Sequence, residues 1–177
     1  MSNLVKNILL FFIFILLQVF VLFQVRPLHQ FIVPYIYFLY ILWLPFNTPR
    51  IGLTLTGFVF GLSLDYFTKT PGLHAAACTL IAYVRPFLIG ILISQEGADQ
   101  NYKSPSVTSM GFAPYATYVI ILTLLHHTYL VLLEWLQFGS FWFFIGKVLG
   151  TTGISLLLIV LAELLFYRKQ KFRTNTV

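Results

Sequence analysis

Long apolar segments separated by short polar connections decide which class of fold this chain can adopt. Of the 177 residues, 59% are hydrophobic and 9% are charged, whereas an average soluble domain carries about 25% charged residues. A transmembrane helix needs about 20 mainly apolar residues. The sequence therefore predicts one all-α integral membrane domain, a compact bundle of six transmembrane helices over residues 1–177. The predicted spans are residues 8–25, 31–46, 51–67, 73–93, 112–136 and 141–167, and a basic tail follows at 168–177.

Lysines and arginines predict how this bundle is oriented. Six spans place both termini on one side, and basic residues concentrate on the cytoplasmic side of a membrane. The opposite side would hold only Arg26 and Lys69. Both termini are therefore predicted to be cytoplasmic, with the tail against anionic membrane lipids; no basic groove is formed, so no nucleic-acid partner is expected. The terminal side would hold Lys6, Arg50 and Lys103, with the tail residues Arg168, Lys169, Lys171 and Arg173.

Two sets of glycines have the spacing of a single helix face. Gly57 and Gly61 lie four residues apart in the third predicted span, and Asp65 lies one turn further along the same face. Small residues let helices approach closely inside a membrane. Both faces are therefore predicted to pack against another helix, belonging either to this chain or to a partner. The second set, in the sixth span, is Gly146, Gly150 and Gly153.

Ionisable side chains within the spans predict a polar level in the outer half of the membrane. At about 1.5 Å per residue, Asp65, His126 and Lys147 each lie about 21 Å from the cytoplasmic face of a core about 30 Å thick. His74 lies slightly further out. A charge at this depth costs about 2.5–3.5 kcal/mol, so such residues usually face protein and find partners. Lys147 has two candidate counter-ions, Asp65 and Glu134.

An interhelical network of Asp65, one of the histidines and Lys147 is our hypothesis for this level. Two interpretations of Asp65 stay open: it locks helix packing, or it takes part in binding something outside the chain. Arg85 precedes Pro86, which kinks or breaks a helix and frees a carbonyl that offers the guanidinium a partner. The predicted polar network comprises Asp65, His74, Arg85, His126, His127, Glu134 and Lys147.

Catalytic and metal-binding signatures are not found in the sequence. His126 and His127 point about 100° apart on a helix, so they cannot both join Glu134 as ligands on one face. Hydrogen bonds between helices are therefore predicted for them. The chain has no Gly-rich phosphate loop, Gly-x-Ser-x-Gly elbow or His-Glu-x-x-His motif, and the single Cys78 allows no disulfide framework. No enzymatic activity, cofactor or metal is predicted, and Glu163 is interpreted as an interfacial residue.

Four motifs follow one another with a consistent order and spacing. They are Leu-Pro-Phe-Asn-Thr-Pro-Arg at 44–50, Gly-x-x-x-Gly-x-x-x-Asp at 57–65, Pro-Gly-Leu-His-Ala at 71–75 and Ala-Tyr-Val-Arg-Pro at 82–86. The His126-His127 pair and the Glu-Leu-Leu-Phe-Tyr-Arg segment at 163–168 add to the pattern. Together with the six predicted spans, these motifs resemble the family of the rod shape-determining protein MreD. The resemblance covers nearly the whole chain except residues 95–110.

This resemblance implies a non-enzymatic scaffold of the cell-elongation machinery in the bacterial cytoplasmic (inner) membrane. Such a protein would bind MreC and work with RodA, the elongation transpeptidase and the MreB filament. It would regulate cell shape and lateral peptidoglycan synthesis. The glycine faces would pack helices within the bundle or the single span of MreC, while the tail holds the inner leaflet.

A second hypothesis is a small-molecule-binding membrane subunit of a transporter with a vitamin-like substrate. The S components of energy-coupling-factor transporters are also six-span bundles, and the MreD fold is thought to be similar to theirs. They often carry an Ala-x-x-x-Ala face on the first span, whereas span 8–25 has no alanine. Thermal shift with a vitamin panel would separate this hypothesis from a scaffold. An intramembrane metalloenzyme using His126, His127 and Glu134 is a third hypothesis, which metal analysis would test.

Overall fold

A computed structural model of the chain describes residues 3–24, 32–93, 103–135 and 140–165. All regular secondary structure in these ranges is helical, which confirms the all-α prediction. Residues 94–102 of the predicted loop 94–111 and the tail residues Arg168, Lys169, Lys171 and Arg173 lie outside the described residues. The α-helices are α1 (Asn3–Leu16), α2 (Leu39–Trp43), α3 (Arg50–Thr68), α4 (Leu73–Leu92), α5 (Val107–Met110), α6 (Phe112–Trp135) and α7 (Phe141–Leu165).

Five helical segments are long and apolar enough to cross a membrane. They match the predicted first, third, fourth, fifth and sixth spans to within a few residues. This supports a multi-pass helical membrane protein. The segments are Val5–Gln24, Arg50–Thr68, Leu73–Leu92, Phe112–Glu134 and Phe141–Leu165.

The prediction of a continuous second helix over residues 31–46 is wrong. Only α2 is helical there, and the backbone before it is irregular and ends in a turn. Pro34 lacks an N–H, and the next two N–H groups bind side chains of other segments rather than a helix of their own. Tyr35 N–H donates to Ser155 Oγ at 3.2 Å, and Ile36 N–H donates to Gln18 Oε1 at 3.0 Å.

This short segment nevertheless forms the centre of the bundle. Every residue from 34 to 44 is buried, and five of them have no exposed surface: Tyr37, Phe38, Leu39, Ile41 and Leu42. Irregular backbone is tolerated at membrane depth only where protein surrounds it. The five long helical segments therefore enclose residues 34–44, which we call the core segment.

Gln18 holds the core segment from the first span. It lies in a π-helical turn, Leu17–Val21, that continues α1 and leads into a 3-10 turn, Leu22–Gln24. Its buried amide accepts from Ile36 N–H and donates to the Pro34 carbonyl at 3.0 Å. π-Helical turns inside α-helices are rare and often occur at functional positions. Here the turn presents one amide that satisfies two backbone groups at once.

The glycines of α3 lie where a neighbouring helix backbone comes very close. A Cβ atom built on Gly57 would lie 2.8 Å from the Ala82 Cβ, and one on Gly61 would lie 2.5 Å from the Ala75 Cα and the His74 carbonyl oxygen. This glycine face therefore packs against α4 of the same chain. Helix α4 itself continues through Pro86, so the break that the proline could have caused does not occur.

Gly61→Ala should destabilise the fold by about 1–3 kcal/mol, the usual cost of an overpacked contact. The added methyl group would meet the α4 backbone, which cannot rotate away as a side chain can. The measurement is chemical unfolding of the purified protein in detergent. Gly90→Ala is the matched control, because its Cβ would meet nothing within 4 Å. Equal stability of the two variants would contradict the close packing of α3 and α4.

Candidate functional site

Asp65 caps the N-terminus of α4. Its carboxylate accepts hydrogen bonds from the N–H groups of Gly72 (3.0 Å), His74 (2.8 Å) and Ala75 (2.9 Å), and from the Thr70 hydroxyl (3.2 Å). The first turn of a helix has unpaired N–H groups and a positive dipole end, which together stabilise a carboxylate. Asp65 is only 3% exposed. Its charge is therefore compensated by backbone amides rather than by a cation.

The turn between α3 and α4 makes this cap possible. Lys69 (φ 57°) and Gly72 (φ 88°) both adopt left-handed backbone conformations, which reverse the chain within a few residues. This geometry returns the first N–H groups of α4 to the side chain at the end of α3. The Thr-Lys-Thr-Pro-Gly sequence thus positions the amides around Asp65.

His74 and His126 meet at one hydroxyl group. The Tyr37 Oη lies 2.9 Å from His74 Nδ1 and 2.9 Å from His126 Nε2. The His126 ring also stacks on Phe38, with 4.6 Å between the ring centroids. Two histidines from different helices therefore hold the core segment through Tyr37. Tyr37 is the partner that the sequence did not indicate.

His127 holds the same segment through a serine. Its Nδ1 lies 2.8 Å from the Thr123 carbonyl oxygen, and its Nε2 lies 3.3 Å from Ser155 Oγ. The same serine oxygen accepts the Tyr35 N–H. His127 and Ser155 have no exposed surface, so this serine–histidine contact is suited to positioning backbone and not to nucleophilic attack on a substrate.

Lys147 forms an ion pair with Glu134, the second of its two candidate counter-ions. The pair joins α6 to α7, and the side chains are 18% and 29% exposed. The hypothesis of one network containing Asp65, a histidine and Lys147 is therefore wrong about Lys147. Asp65 and His74 are joined, but Lys147 bonds elsewhere, because the amides of α4 already occupy the Asp65 carboxylate.

Arg85 belongs to a different cluster near the other end of the bundle. Its Nε donates to the Tyr118 hydroxyl at 2.9 Å, and its Nη2 donates to the Leu44 carbonyl at the end of α2. Tyr118 in turn donates to the Leu42 carbonyl at 3.0 Å. The arginine partner is therefore a carbonyl of the core segment and not one freed by Pro86. A guanidinium with several donors is suited to binding this helix end.

Glu163 contacts other helices of the bundle two residues before the end of α7, and its interfacial position stays a prediction. It accepts hydrogen bonds from the Trp43 Nε1 at 2.8 Å and from the Tyr115 hydroxyl. The contact joins α2, α6 and α7. The sequence signal was available in principle, since tryptophan and tyrosine bury their rings only where their N–H or O–H finds a partner.

The two predicted glycine faces have different surroundings. Gly150 is packed, since its added Cβ would lie 2.8 Å from the Ile32 Cδ1, whereas Gly146 and Gly153 have nothing within 4 Å. A continuous stripe of α7 is exposed on the side of these two glycines. The exposed stripe consists of Trp142, Gly146, Leu149, Gly153, Leu157, Val160 and Leu164.

Two cavities lie at opposite ends of the bundle. One, about 480 Å³, lies between α5, α6 and α7 next to Glu163 and is almost entirely apolar. The other, about 420 Å³, lies next to the α3–α4 turn and includes Tyr35, His74 and Glu134 in its wall. After the orientation predicted from the sequence, we call them the inner and the outer cavity. Within the described ranges, no three His, Cys, Asp or Glu side chains are grouped to hold a metal ion. The metalloenzyme hypothesis therefore has no site there.

Asp65→Asn should lower the stability of the folded protein by about 1.5–3 kcal/mol, the usual value of hydrogen bonds to a charged group. Its amide nitrogen would face N–H donors instead of accepting from them. Thermal unfolding in detergent is the measurement. Ser63→Ala on the same helix is the control, because the Ser63 hydroxyl donates only to the Val59 carbonyl of its own helix. An unchanged midpoint for Asp65→Asn would contradict the capping role.

Lys147→Leu should reduce the yield of folded protein more than Lys147→Leu combined with Glu134→Leu, because the single variant leaves a carboxylate without its partner. A double-mutant cycle should give a coupling energy of at least about 0.5 kcal/mol for this pair. The cycle between Asp65→Asn and Lys147→Leu should be additive, since those side chains share no hydrogen bond. A stronger coupling energy between Lys147 and Asp65 than between Lys147 and Glu134 would instead support the network of Asp65, a histidine and Lys147 that the sequence predicted.

No protein-family model, curated protein or solved structure matches this chain. Its function is therefore inferred from the geometry of the polar clusters, from the exposed glycines of α7 and from the order of the sequence motifs.

Proposed function

We propose that the protein is a non-enzymatic membrane scaffold of the MreD type. It binds MreC in the bacterial cytoplasmic membrane and supports the cell-elongation machinery of RodA, the elongation transpeptidase and MreB. In this role it regulates cell shape and lateral peptidoglycan synthesis without catalysing a reaction. The proposed family rests on the resemblance of the sequence motifs to those of MreD proteins. The proposed non-enzymatic role rests on the hydrogen bonds that the polar side chains form within the bundle.

The observation that carries the proposal is that polar groups inside the bundle bind its own backbone and side chains. Asp65 binds amides of α4, Arg85 binds the end of α2, and His127 binds through Ser155 to Tyr35. An enzyme would hold such groups toward a substrate in fixed, accessible positions. Groups committed to backbone positions favour a rigid body that presents surfaces to partners.

The proposed topology has six crossings with both termini in the cytoplasm. The core segment supplies the second crossing, since it leads from His74 at the start of α4 to Arg85 and Glu163 near the other end. Residues 32–36 at about 3.3 Å per residue, followed by the turn and short helix of residues 37–43 at about 1.5 Å per residue, reach about 27 Å, close to the hydrocarbon thickness of about 30 Å. The basic tail would then meet the anionic inner leaflet.

The exposed stripe of α7 is the proposed contact for the single span of MreC. The glycine face of α3 is occupied by α4, so it cannot receive a partner. Gly146 and Gly153 lie in the middle of the stripe with open space beside them, and large apolar residues flank them. Small residues with apolar neighbours are the common pattern at interfaces between membrane helices. Specificity would come from this packing and not from charge.

Gly153→Leu should reduce the amount of MreC that co-purifies, because the new side chain fills the space that a partner helix would use. We expect at least a tenfold loss, which corresponds to about 1.4 kcal/mol. Affinity purification from detergent with quantitative mass spectrometry is the measurement. Gly90→Leu is the matched control, since it is an exposed helical glycine on α4 with nothing within 4 Å of its Cβ.

Full recovery of MreC with Gly153→Leu would show that the stripe is not the interface. Recovery of no elongation protein with the unaltered chain would contradict the scaffold itself. Complementation in the native host adds a second readout: cells depleted of the protein should lose their cylindrical form, and the Gly90→Leu variant should restore it.

A further inference from the structure

The outer cavity has the size and walls of a small-molecule site. Its volume of about 420 Å³ lies within the range of about 300–1,000 Å³ that ligand pockets occupy. Aromatic rings of Phe23, Tyr35 and Phe67 form part of the wall, and Glu134, Thr70 and His74 contribute polar groups. The cavity lies at the outer ends of the spans, beside the α3–α4 turn. A molecule from the outer side of the membrane would reach it without crossing the bilayer.

Two buried polar groups in this wall have unused hydrogen-bonding capacity. Tyr35 and His74 are only 4% and 3% exposed, and both line the cavity. Among the described residues, no hydrogen-bond partner is found for the Tyr35 hydroxyl or for the His74 Nε2. Neither atom is among the fully enclosed unpaired atoms of the described residues, so both face open space at the cavity. A molecule that enters the cavity can therefore bind both groups.

The hydrogen bonds around Tyr37 assign a donor to His74. The single Tyr37 proton goes to one histidine, and the other histidine donates to the Tyr37 oxygen. If Tyr37 donated to His126 Nε2, the proton of His126 would be on Nδ1, which is buried without a partner. An unpaired buried N–H is rarer than an unpaired acceptor. Tyr37 therefore donates to His74 Nδ1, and the His74 proton is on Nε2, available to the cavity.

Both carboxylates at the cavity already have partners within the protein. Glu134 contributes its carboxylate to the wall and forms an ion pair with Lys147. The Asp65 carboxylate, behind Thr70 and His74, binds backbone amides of α4. A ligand with net charge would gain no compensating charge on entry and would lose its hydration. The aromatic wall in turn favours a flat ring that packs against it.

We propose that the outer cavity binds a small uncharged ring compound that accepts a hydrogen bond from His74 and exchanges one with the Tyr35 hydroxyl. Phe23 and Phe67 would pack against the ring, and the free edge of the Glu134 carboxylate would accept a ligand N–H. This site does not depend on the scaffold role, because it uses none of the residues of the α7 stripe. Both proposals can therefore fail separately.

The test uses three probes of one shape and different charge. Quinoline-3-carboxamide is neutral, quinoline-3-carboxylate is anionic and 1-methylquinolinium-3-carboxamide is cationic. Each is titrated by ligand-observed NMR against the full-length protein in lipid nanodiscs, with empty nanodiscs as background. We expect saturable binding of the neutral probe at millimolar concentration or below, and at least tenfold weaker binding of both charged probes.

Variants link this binding to the outer cavity. Tyr35→Phe removes only a hydroxyl for which the described part of the chain offers no partner, so the variant should fold normally and bind the neutral probe about tenfold more weakly. Tyr40→Phe is the matched control, because Tyr40 lies in the same segment but not in the cavity wall, and it should bind the probe as the unaltered protein does. Val33→Phe places a ring in the cavity and should abolish binding.

Three outcomes would overturn the proposal. The first is no saturable binding of any probe, and the second is tighter binding of a charged probe than of the neutral one. The third is unchanged affinity for the neutral probe in both Tyr35→Phe and Val33→Phe. Thermal unfolding of each variant, measured in parallel, identifies a loss of binding that comes from misfolding. The Tyr35→Phe variant then decides, because it breaks no hydrogen bond found within the described ranges.

Discussion

The need to pair every backbone polar group at membrane depth governs this structure. A helix meets that need by itself, but an irregular segment needs donors and acceptors from its neighbours. The residues before α2 obtain them from Gln18 and Ser155, which bind the backbone of Pro34, Tyr35 and Ile36. The surrounding helices are therefore bound to the core segment by hydrogen bonds as well as by packing.

The polar clusters at the two ends of the bundle act on that same segment. At one end, Tyr37 is held between two histidines. At the other, Arg85 binds the Leu44 carbonyl, and Glu163 binds Trp43. Charged and polar side chains thus fix both the depth and the rotation of the core segment. This arrangement explains why a chain with few ionisable residues places so many of them inside its spans.

The sequence was sufficient for the five long helices, because their apolar length exceeds what a soluble chain would expose and needs no knowledge of neighbours. It was insufficient for residues 31–46, which were predicted as a continuous helix, since Gln18 and Ser155 carry no local signal for the backbone groups they bind. The partner of Lys147 was equally undecided, because depth alone left both Asp65 and Glu134 within reach. The backbone amides of α4 bind Asp65 and leave Lys147 to pair with Glu134. These amides reach Asp65 only when the α3–α4 turn has formed.

The distance along the chain between the core segment and its partners has a consequence for biogenesis. Ser155 lies 120 residues after Tyr35, whose N–H it accepts. Until α7 has been synthesised, the Tyr35 N–H lacks the acceptor that it has in the folded protein. The hydrogen bonding of the core segment can therefore be completed only after the last described helix has been made.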